Sequence, residues 1–132
     1  EYGAATGRPR RVGPFDAVAS AYGLKCQNAD KIALTKLDVL SRMDEIPVIT
    51  AYKLNDELIT EFDPLDDLDS MTPVIQTLPG WNTDISKCRK YEELPENARK
   101  YIETLEHLLN HEIQFISVGA ERNQYLTKGE WL

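Results

Sequence analysis

The stretch Leu34-Thr35-Lys36-Leu37-Asp38 decides how the rest of the chain is interpreted. It continues from a short apolar run, residues 32–34, whose composition predicts a buried strand. Lys36 and Asp38 therefore lie where this strand runs out into a loop. In open α/β sheets, ligands bind at the carboxyl ends of the strands. The stretch thus predicts a binding site at the end of a strand in a fold that mixes helices and strands.

The residue types in this stretch favour a purine base as the ligand. A carboxylate at Asp38 can accept two parallel hydrogen bonds from guanine, one from the ring N–H and one from the exocyclic amine. Adenine lacks that pair of donors, so the carboxylate would select guanine. Strand alternation predicts that Lys36 points the same way, with its methylene stem along the base. Lys and Asp near a strand end are more often solvated loop residues, so a guanine site at Lys36 and Asp38 needs support from other motifs.

The most unusual composition lies at residues 3–13, GAATGRPRRVG. Its three glycines let the backbone approach a ligand closely, and Thr6 offers a hydroxyl. Arg8, Arg10 and Arg11 present guanidinium groups suited to carboxylates and phosphates. The alternative is a solvated basic turn, or arginines paired with surface acids. We favour an anion site because three clustered arginines repel one another unless an anion joins them.

Length and composition limit the classes of protein. The 132 residues suffice for about one domain with a real core. The net charge of -7 argues against non-specific binding to nucleic acid or to an anionic membrane. No apolar run approaches the length of a membrane span, and no secretory signal precedes the first motif. Cys26 and Cys88 have no metal-site spacing, so we expect two free thiols in a reducing cytoplasm, with one disulfide as the open alternative.

Hydrophobic periodicity predicts a mixed α/β (or α+β) fold: a partly parallel sheet with an antiparallel hairpin and flanking helices. One helix is expected over 15–24, with Pro14 at its start, and a second from Leu94 to about His111, with Pro95 in its first turn. Beyond 32–34, strands are expected at 46–54, 58–62, 73–78, 113–118 and 124–127, with a helical turn at 39–43. The loop 119–122 follows a strand end and could meet the same base.

Two further features have ordinary interpretations. Residues 63–70 crowd four aspartates but lack the glycine and terminal glutamate of a calcium loop, so a solvated surface insertion is expected. His107 and His111 stand four apart on one predicted helical face, a spacing that can bind a metal. No third ligand is apparent, so surface histidines are favoured and no metal site is predicted.

Taken together, the motifs resemble those of the adenylosuccinate synthetase family over the whole chain. The resemblance rests on the loop at 3–11, the LTKLDVL stretch at 34–40, the LPGW turn at 78–81 and the ISVG strand end at 116–119. It implies that residues 1–132 are the C-terminal portion of a larger, P-loop-related GTP-dependent ligase fold. An aspartate loop at 3–13 and a guanine pocket at 34–38 and 117–120 are the implied subsites.

The implied reaction has two steps. GTP, with magnesium, phosphorylates the 6-oxygen of IMP, and the amino group of L-aspartate then displaces that phosphate to give adenylosuccinate. The resemblance assigns the aspartate substrate to Ala4, Ala5, Thr6, Gly7, Arg8, Pro9 and Arg10. Within this set, Arg8 also reaches IMP and Arg10 contacts GTP. The guanine base falls to Lys36, Leu37 and Asp38, with Ser117, Val118 and Gly119 covering it.

The resemblance also implies what this segment lacks. The family's phosphate-binding glycine loop, magnesium ligands and catalytic Asp and His belong to the N-terminal part. No catalytic residue is therefore assigned here, and we expect the segment alone to be inactive. Since the chain begins without Met and enters the basic loop almost at once, we expect a piece of a longer protein. The resemblance implies that this longer protein is a cytoplasmic homodimer.

Three departures from the family pattern bear on the substrate: Ala5 replaces a second Thr, Pro14 replaces a bulky aromatic, and Ala120 replaces a Pro. Two alternatives stay open. One is a related ligase that uses a different purine nucleotide or triphosphate. The other is a guanine-nucleotide-binding module without chemistry.

Overall fold

The structure, a computed structural model, describes residues 1–129, so the last three residues of the predicted segment lie outside the described residues. It contains two helices and seven strands within that range. In chain order the elements are β1 (Phe15–Asp16), α1 (Ala17–Gln27), β2 (Ile32–Leu34), β3 (Glu45–Leu54), β4 (Glu57–Ile59), β5 (Thr72–Pro79), α2 (Glu96–Leu109), β6 (Ile113–Ser117) and β7 (Tyr125–Thr127). Short 3-10 helices occupy Leu37–Leu40, Leu68–Ser70 and Tyr91–Glu93.

The strands form two sheets, each with one parallel pair. In the first, β3 pairs in parallel with β1 and antiparallel with both β4 and β5. In the second, β6 pairs in parallel with β2 and antiparallel with β7. The predicted mixed α/β fold, with parallel strands, an antiparallel hairpin and helices, is therefore confirmed.

The start of the first helix was predicted wrongly. Phe15 and Asp16 are not helical but form β1 beside β3, and the helix begins at Ala17. Asp16 is the N-cap: its carboxylate accepts a hydrogen bond from the Ala19 backbone N–H at 2.9 Å and another from the Tyr52 hydroxyl. Aspartate is a preferred N-cap because it satisfies a free N–H of the first turn. Pairing with β3 thus outweighs the helical spacing of Phe15.

The second helix is confirmed, with its ends adjusted. It begins at Glu96, so Pro95 is the N-cap rather than a residue of the first turn. Its last residue is Leu109, and the C-cap Asn110 adopts the left-handed conformation (φ 51°). His111 therefore lies beyond the helix, and its Nδ1 is 2.9 Å from the Leu109 carbonyl oxygen. The prediction that His107 and His111 share one helical face is wrong for this reason.

The predicted apolar stripe of α2 builds the main core. Its buried members are Ala98, Tyr101, Ile102, Leu105 and Leu109. All of them except Leu109 belong to one cluster of buried side chains. The cluster also draws on β3, β6, β7 and the intervening loops, and it includes Ile46, Val48, Ile85, Ile113, Ile116, Val118 and Leu126. Each fully buried aliphatic side chain contributes roughly 1.5–3 kcal/mol. This core supports the second sheet, whose strand ends carry the predicted guanine motif.

Other strands are found near their predicted positions. The hairpin partner is shorter than predicted, because β4 ends at Ile59 and not at residue 62. The strand β2 is half-buried rather than buried, since Ala33 is exposed and, within residues 1–129, β2 pairs only with β6.

The acidic segment, residues 63–70, forms a surface insertion, as predicted, in which Leu65 is almost fully exposed to solvent. Neither helix within residues 1–129 has the length and apolar character needed to cross a membrane.

The LPGW turn is held tightly between β3 and α2. The Gly80 N–H donates to the Asp44 carbonyl at 2.8 Å, and the Gly80 carbonyl accepts from the Asn97 amide at 2.8 Å. A Cβ at Gly80 would lie 1.7 Å from the Met43 carbonyl oxygen. The next residue, Trp81, is buried, and its indole N–H donates to the Ser41 hydroxyl at 3.3 Å. Glycine is therefore required here for close backbone approach.

Candidate functional site

Parallel pairing brings two predicted parts of the site to one edge. Leu34 of β2 is in register with Ile116 of β6, and the two strands run in the same direction. Their carboxyl ends therefore lie side by side, followed by residues 36–38 on one side and 117–119 on the other. These are the two stretches assigned to the guanine base by the resemblance.

The backbone at Lys36 leaves the strand instead of continuing it. Lys36 adopts the left-handed conformation (φ 62°, ψ 31°), which is uncommon for a residue with a side chain, and a 3-10 helix follows at Leu37–Leu40. The argument that Lys36 and Asp38 point the same way by strand alternation is therefore wrong. Leu37 anchors the turn by burying its side chain in the core. Leu37 is thus placed for packing, with the two charged residues on either side of it.

The Asp38 carboxylate remains free to accept hydrogen bonds. Its side chain is half-buried and makes no hydrogen bond or ion pair with another residue in the part of the chain that the structure describes. Its backbone carbonyl accepts from the Ser41 N–H at 3.1 Å. A half-buried carboxylate without a partner at a strand edge is the arrangement that a base with two N–H donors requires.

The loop after β6 is fixed by a residue that sequence reasoning missed, Gln124. Its backbone carbonyl accepts from the Val118 N–H at 2.9 Å, and its side-chain Oε1 accepts from the Glu121 N–H at 2.8 Å. A Cβ at Gly119 would lie 2.2 Å from Gln124 Oε1, so glycine lets the loop close over this side chain. The Ser117 hydroxyl donates to the Gly119 carbonyl at 3.0 Å. Val118 is fully buried and belongs to the core.

The arginine loop is a closed turn with exposed side chains. The Gly3 N–H donates to the Arg8 carbonyl at 2.9 Å, and the Gly7 N–H donates to the Gly3 carbonyl at 2.8 Å. Gly7 has a positive φ of 64°, which glycine adopts without strain. The Thr6 hydroxyl accepts from the Arg8 N–H at 3.4 Å. Every residue from Ala4 to Arg10 is exposed, including Ala5 and Pro9.

The charges of this loop are largely uncompensated. Within residues 1–129, neither Arg8 nor Arg11 forms a side-chain ion pair or hydrogen bond with another residue. Arg10 has one acidic neighbour, since its Nη1 lies 3.6 Å from Glu1 Oε1. The alternative that the arginines pair with surface acids therefore holds only for Arg10, and the loop retains the capacity to bind anions.

Glu1 links the loop to the strand-end edge and carries no signal in the sequence. Its Oε1 lies 2.8 Å from Lys36 Nζ, in addition to the longer contact with Arg10. The hydrogen bond from Lys36 is the main reason that the pKa of the Glu1 carboxyl is lowered from its usual value. The arginine loop and the Lys36–Asp38 turn are thus connected through one carboxylate.

An apolar cavity of about 450 Å³ adjoins this link. Its lining includes Val12, Pro14, Phe15, Leu40 and Met43. Lys36 and Leu37 also line it, whereas Asp38 and residues 117–119 do not. The predicted guanine subsite therefore adjoins this cavity through Lys36 and Leu37.

Neither a metal centre nor a disulfide is seen among the described residues. No group of three or more His, Cys, Asp or Glu side chains within residues 1–129 is placed to hold a metal ion. Cys26 and Cys88 are both free thiols, as predicted.

An edge where two parallel strands end, beside a loop of exposed arginines, is typical of the ligand-binding α/β class of proteins. The family model for adenylosuccinate synthetase matches residues 1–126. The chain therefore belongs to the adenylosuccinate synthetase family, as the motifs predicted.

Relatives and a solved structure agree with this assignment. The chain is 43% identical to an adenylosuccinate synthetase from Staphylococcus saprophyticus, with 99% of this chain and 31% of the relative covered. It is 46% identical to one from Desulforamulus reducens, with 94% and 29% covered. The structure of fully ligated adenylosuccinate synthetase from Plasmodium falciparum superposes with a TM-score of 0.87 at 40% identity, covering 97% of this chain and 31% of that one. The chain thus spans about 30% of the length of its relatives.

Proposed function

We propose that this chain is part of a GTP-dependent ligase that joins IMP and L-aspartate to give adenylosuccinate, GDP and phosphate. This reaction is the first step committed from IMP to AMP. The observation that carries the proposal is the parallel pairing of β2 with β6, which brings the Lys36–Asp38 turn and residues 117–119 to one edge in a chain of this family.

The guanine base is assigned to that edge. The Asp38 carboxylate accepts from the ring N–H and the exocyclic amine of guanine, and the methylene stem of Lys36 lies along the ring. Leu37 holds the turn through its buried side chain. Ser117, Val118 and Gly119 border the base from the adjacent strand. The free Asp38 carboxylate supports this role, because a carboxylate engaged by a neighbour would have to lose that partner first.

The arginine loop is assigned to the anionic substrates. Its exposed backbone and side chains, from Ala4 to Arg10, surround the carboxylates of L-aspartate, with Arg8 also reaching IMP and Arg10 the GTP side. Guanidinium groups without acidic partners bind carboxylates and phosphates through two parallel hydrogen bonds. The unpaired state of Arg8 supports its assignment to two anionic substrates.

Magnesium accompanies GTP in this proposal, and it neutralises charge on the transferred phosphate. No residue of this chain is proposed as its ligand. The magnesium ligands and the catalytic Asp and His are assigned to the rest of the longer polypeptide. A homodimer in the cytoplasm is also part of the proposal, and the two unpaired cysteines support the compartment.

The test uses a full-length protein that carries this segment. It is incubated with IMP, L-aspartate and magnesium, and with either GTP or ATP, while adenylosuccinate is measured by chromatography. Formation with GTP alone is expected. Formation with ATP instead would indicate a related ligase with another triphosphate. Binding of GTP without any product would favour a guanine-nucleotide-binding module and contradict the ligase.

A further inference from the structure

We propose that Glu1 is a positioning residue, which fixes the Lys36 ammonium beside the guanine edge and ties it to the arginine loop. The inference rests on the proposed function, because it concerns how the nucleotide and aspartate subsites are held relative to each other. It assigns a role to a residue that contacts no substrate in the proposed reaction.

The first observation is the geometry of the carboxylate. Glu1 Oε1 is 2.8 Å from Lys36 Nζ and 3.6 Å from Arg10 Nη1, so one oxygen lies between a cation of each subsite. The side chain of Glu1 is 16% exposed, against 55% for Lys36. Water screens a partly buried carboxylate less than it screens a surface ion pair, so this contact restrains Lys36 more than ordinary surface pairs do.

The second observation is that the backbone fixes Glu1 independently of its side chain. The Glu1 carbonyl accepts from the Arg10 N–H at 2.9 Å, and Tyr2 and Pro9 form a bridge immediately beside it. Glu1 is thus anchored to the base of the arginine loop. A carboxylate attached to a fixed backbone can hold a long lysine side chain in one place, which a mobile acid could not do.

The third observation concerns Lys36 itself. The left-handed backbone at Lys36 turns the chain out of β2, so strand geometry does not direct this side chain toward the base. Without Glu1, the flexible side chain would be repelled by the neighbouring Arg10 and would move into solvent. The lysine stem would then be absent from the face of guanine for most of the time.

The effect expected of Glu1→Gln follows from the loss of the ion pair with Lys36. The KM for GTP should rise about fivefold to tenfold, with kcat changed less than about twofold. The full-length protein carrying this segment is used, and initial rates are measured with varied GTP. Glu57→Gln is the matched control, because Glu57 is exposed on β4 and has no ion pair within residues 1–129. The control should leave the KM unchanged.

A double-mutant cycle separates positioning from a structural role. If Glu1 acts through Lys36, then Glu1→Gln should add little once Lys36→Met is present, because the group it positions is gone. Equal increases of KM in both backgrounds would overturn the proposal. Glu1→Asp, which keeps the charge on a shorter stem, should give an intermediate KM for GTP, and it provides the test if Glu1→Gln lowers the thermal midpoint.

The failures of the two proposals can be told apart. If the unmutated protein forms no adenylosuccinate with GTP, the proposed function is wrong. If the unmutated protein is active and both Glu1 variants have the KM of the Glu57→Gln control, the function stands and the role of Glu1 is wrong.

Discussion

Replacement of Gly80 by Ala should destabilise the fold by about 3 kcal/mol or more. The added Cβ would lie 1.7 Å from the Met43 carbonyl oxygen and 2.8 Å from its carbonyl carbon, and these are backbone atoms that cannot rotate away. Displacing the backbone costs roughly 1–3 kcal/mol as overpacking. The shift also breaks the bond from the Gly80 N–H to the Asp44 carbonyl, worth about 1 kcal/mol, and loosens the buried Trp81.

Gly23→Ala is the matched control, since it makes the same chemical change with the opposite expected sign. Gly23 lies within α1, and a Cβ there would meet no atom within 4 Å. Alanine is favoured over glycine inside a helix by about 0.5–1 kcal/mol, so this variant should be slightly more stable.

The assay is urea denaturation of both variants, followed by circular dichroism. A loss below about 1 kcal/mol at Gly80, or equal effects at the two positions, would refute the account of the turn.

Two further predictions concern the stability of the second sheet and of the core. Lys128→Met should lower the free energy of unfolding by about 1–3 kcal/mol, because it leaves the partly buried Glu106 without its ion pair. Lys100→Met removes an exposed pair and should cost less than about 0.5 kcal/mol; equal losses in urea denaturation would contradict the distinction. Burial raises the pKa of Tyr101 to about 12, so stability should fall as pH rises from about 10 to about 12. The thermal midpoint measured across this range should fall less in Tyr101→Phe, and an equal fall would show that Tyr101 is not responsible.

Local sequence patterns predicted the helices and strands whose formation depends mainly on their own residues. The apolar stripe from Ala98 to Leu109 gave α2 because helical spacing and burial on the core agree there. The composition of 113–118 gave β6 in the same way. The start of α1 was wrong because Phe15 fits two patterns, and only its pairing with Val48 of β3 decides between them. Such a pairing depends on a residue 33 positions away, which is not visible in a local window.

Residue chemistry alone singled out the arginine loop and Asp38 in the sequence. The structure leaves the side chains of Arg8, Arg11 and Asp38 without partners within residues 1–129, and their roles in binding stay predictions. The orientation of Lys36 was missed because the left-handed backbone depends on how Leu37 packs in the core. Gln124 and Glu1 were missed because their roles come from contacts in the folded chain that no local pattern predicts. Gln124 hydrogen-bonds Val118 and Glu121, and Glu1 contacts Lys36.

The measurement that tests the central claim most directly is the nucleotide preference of Asp38→Ala. In the full-length protein that carries this segment, the ratio of kcat/KM with GTP to that with ATP is compared between Asp38→Ala and the unmutated protein. Asp56→Ala, in the exposed turn between β3 and β4, serves as the control. Loss of two hydrogen bonds to a charged acceptor should reduce the ratio by at least about tenfold, through the KM for GTP. An unchanged ratio would show that Asp38 does not recognise guanine and would contradict the assignment of the strand-end edge.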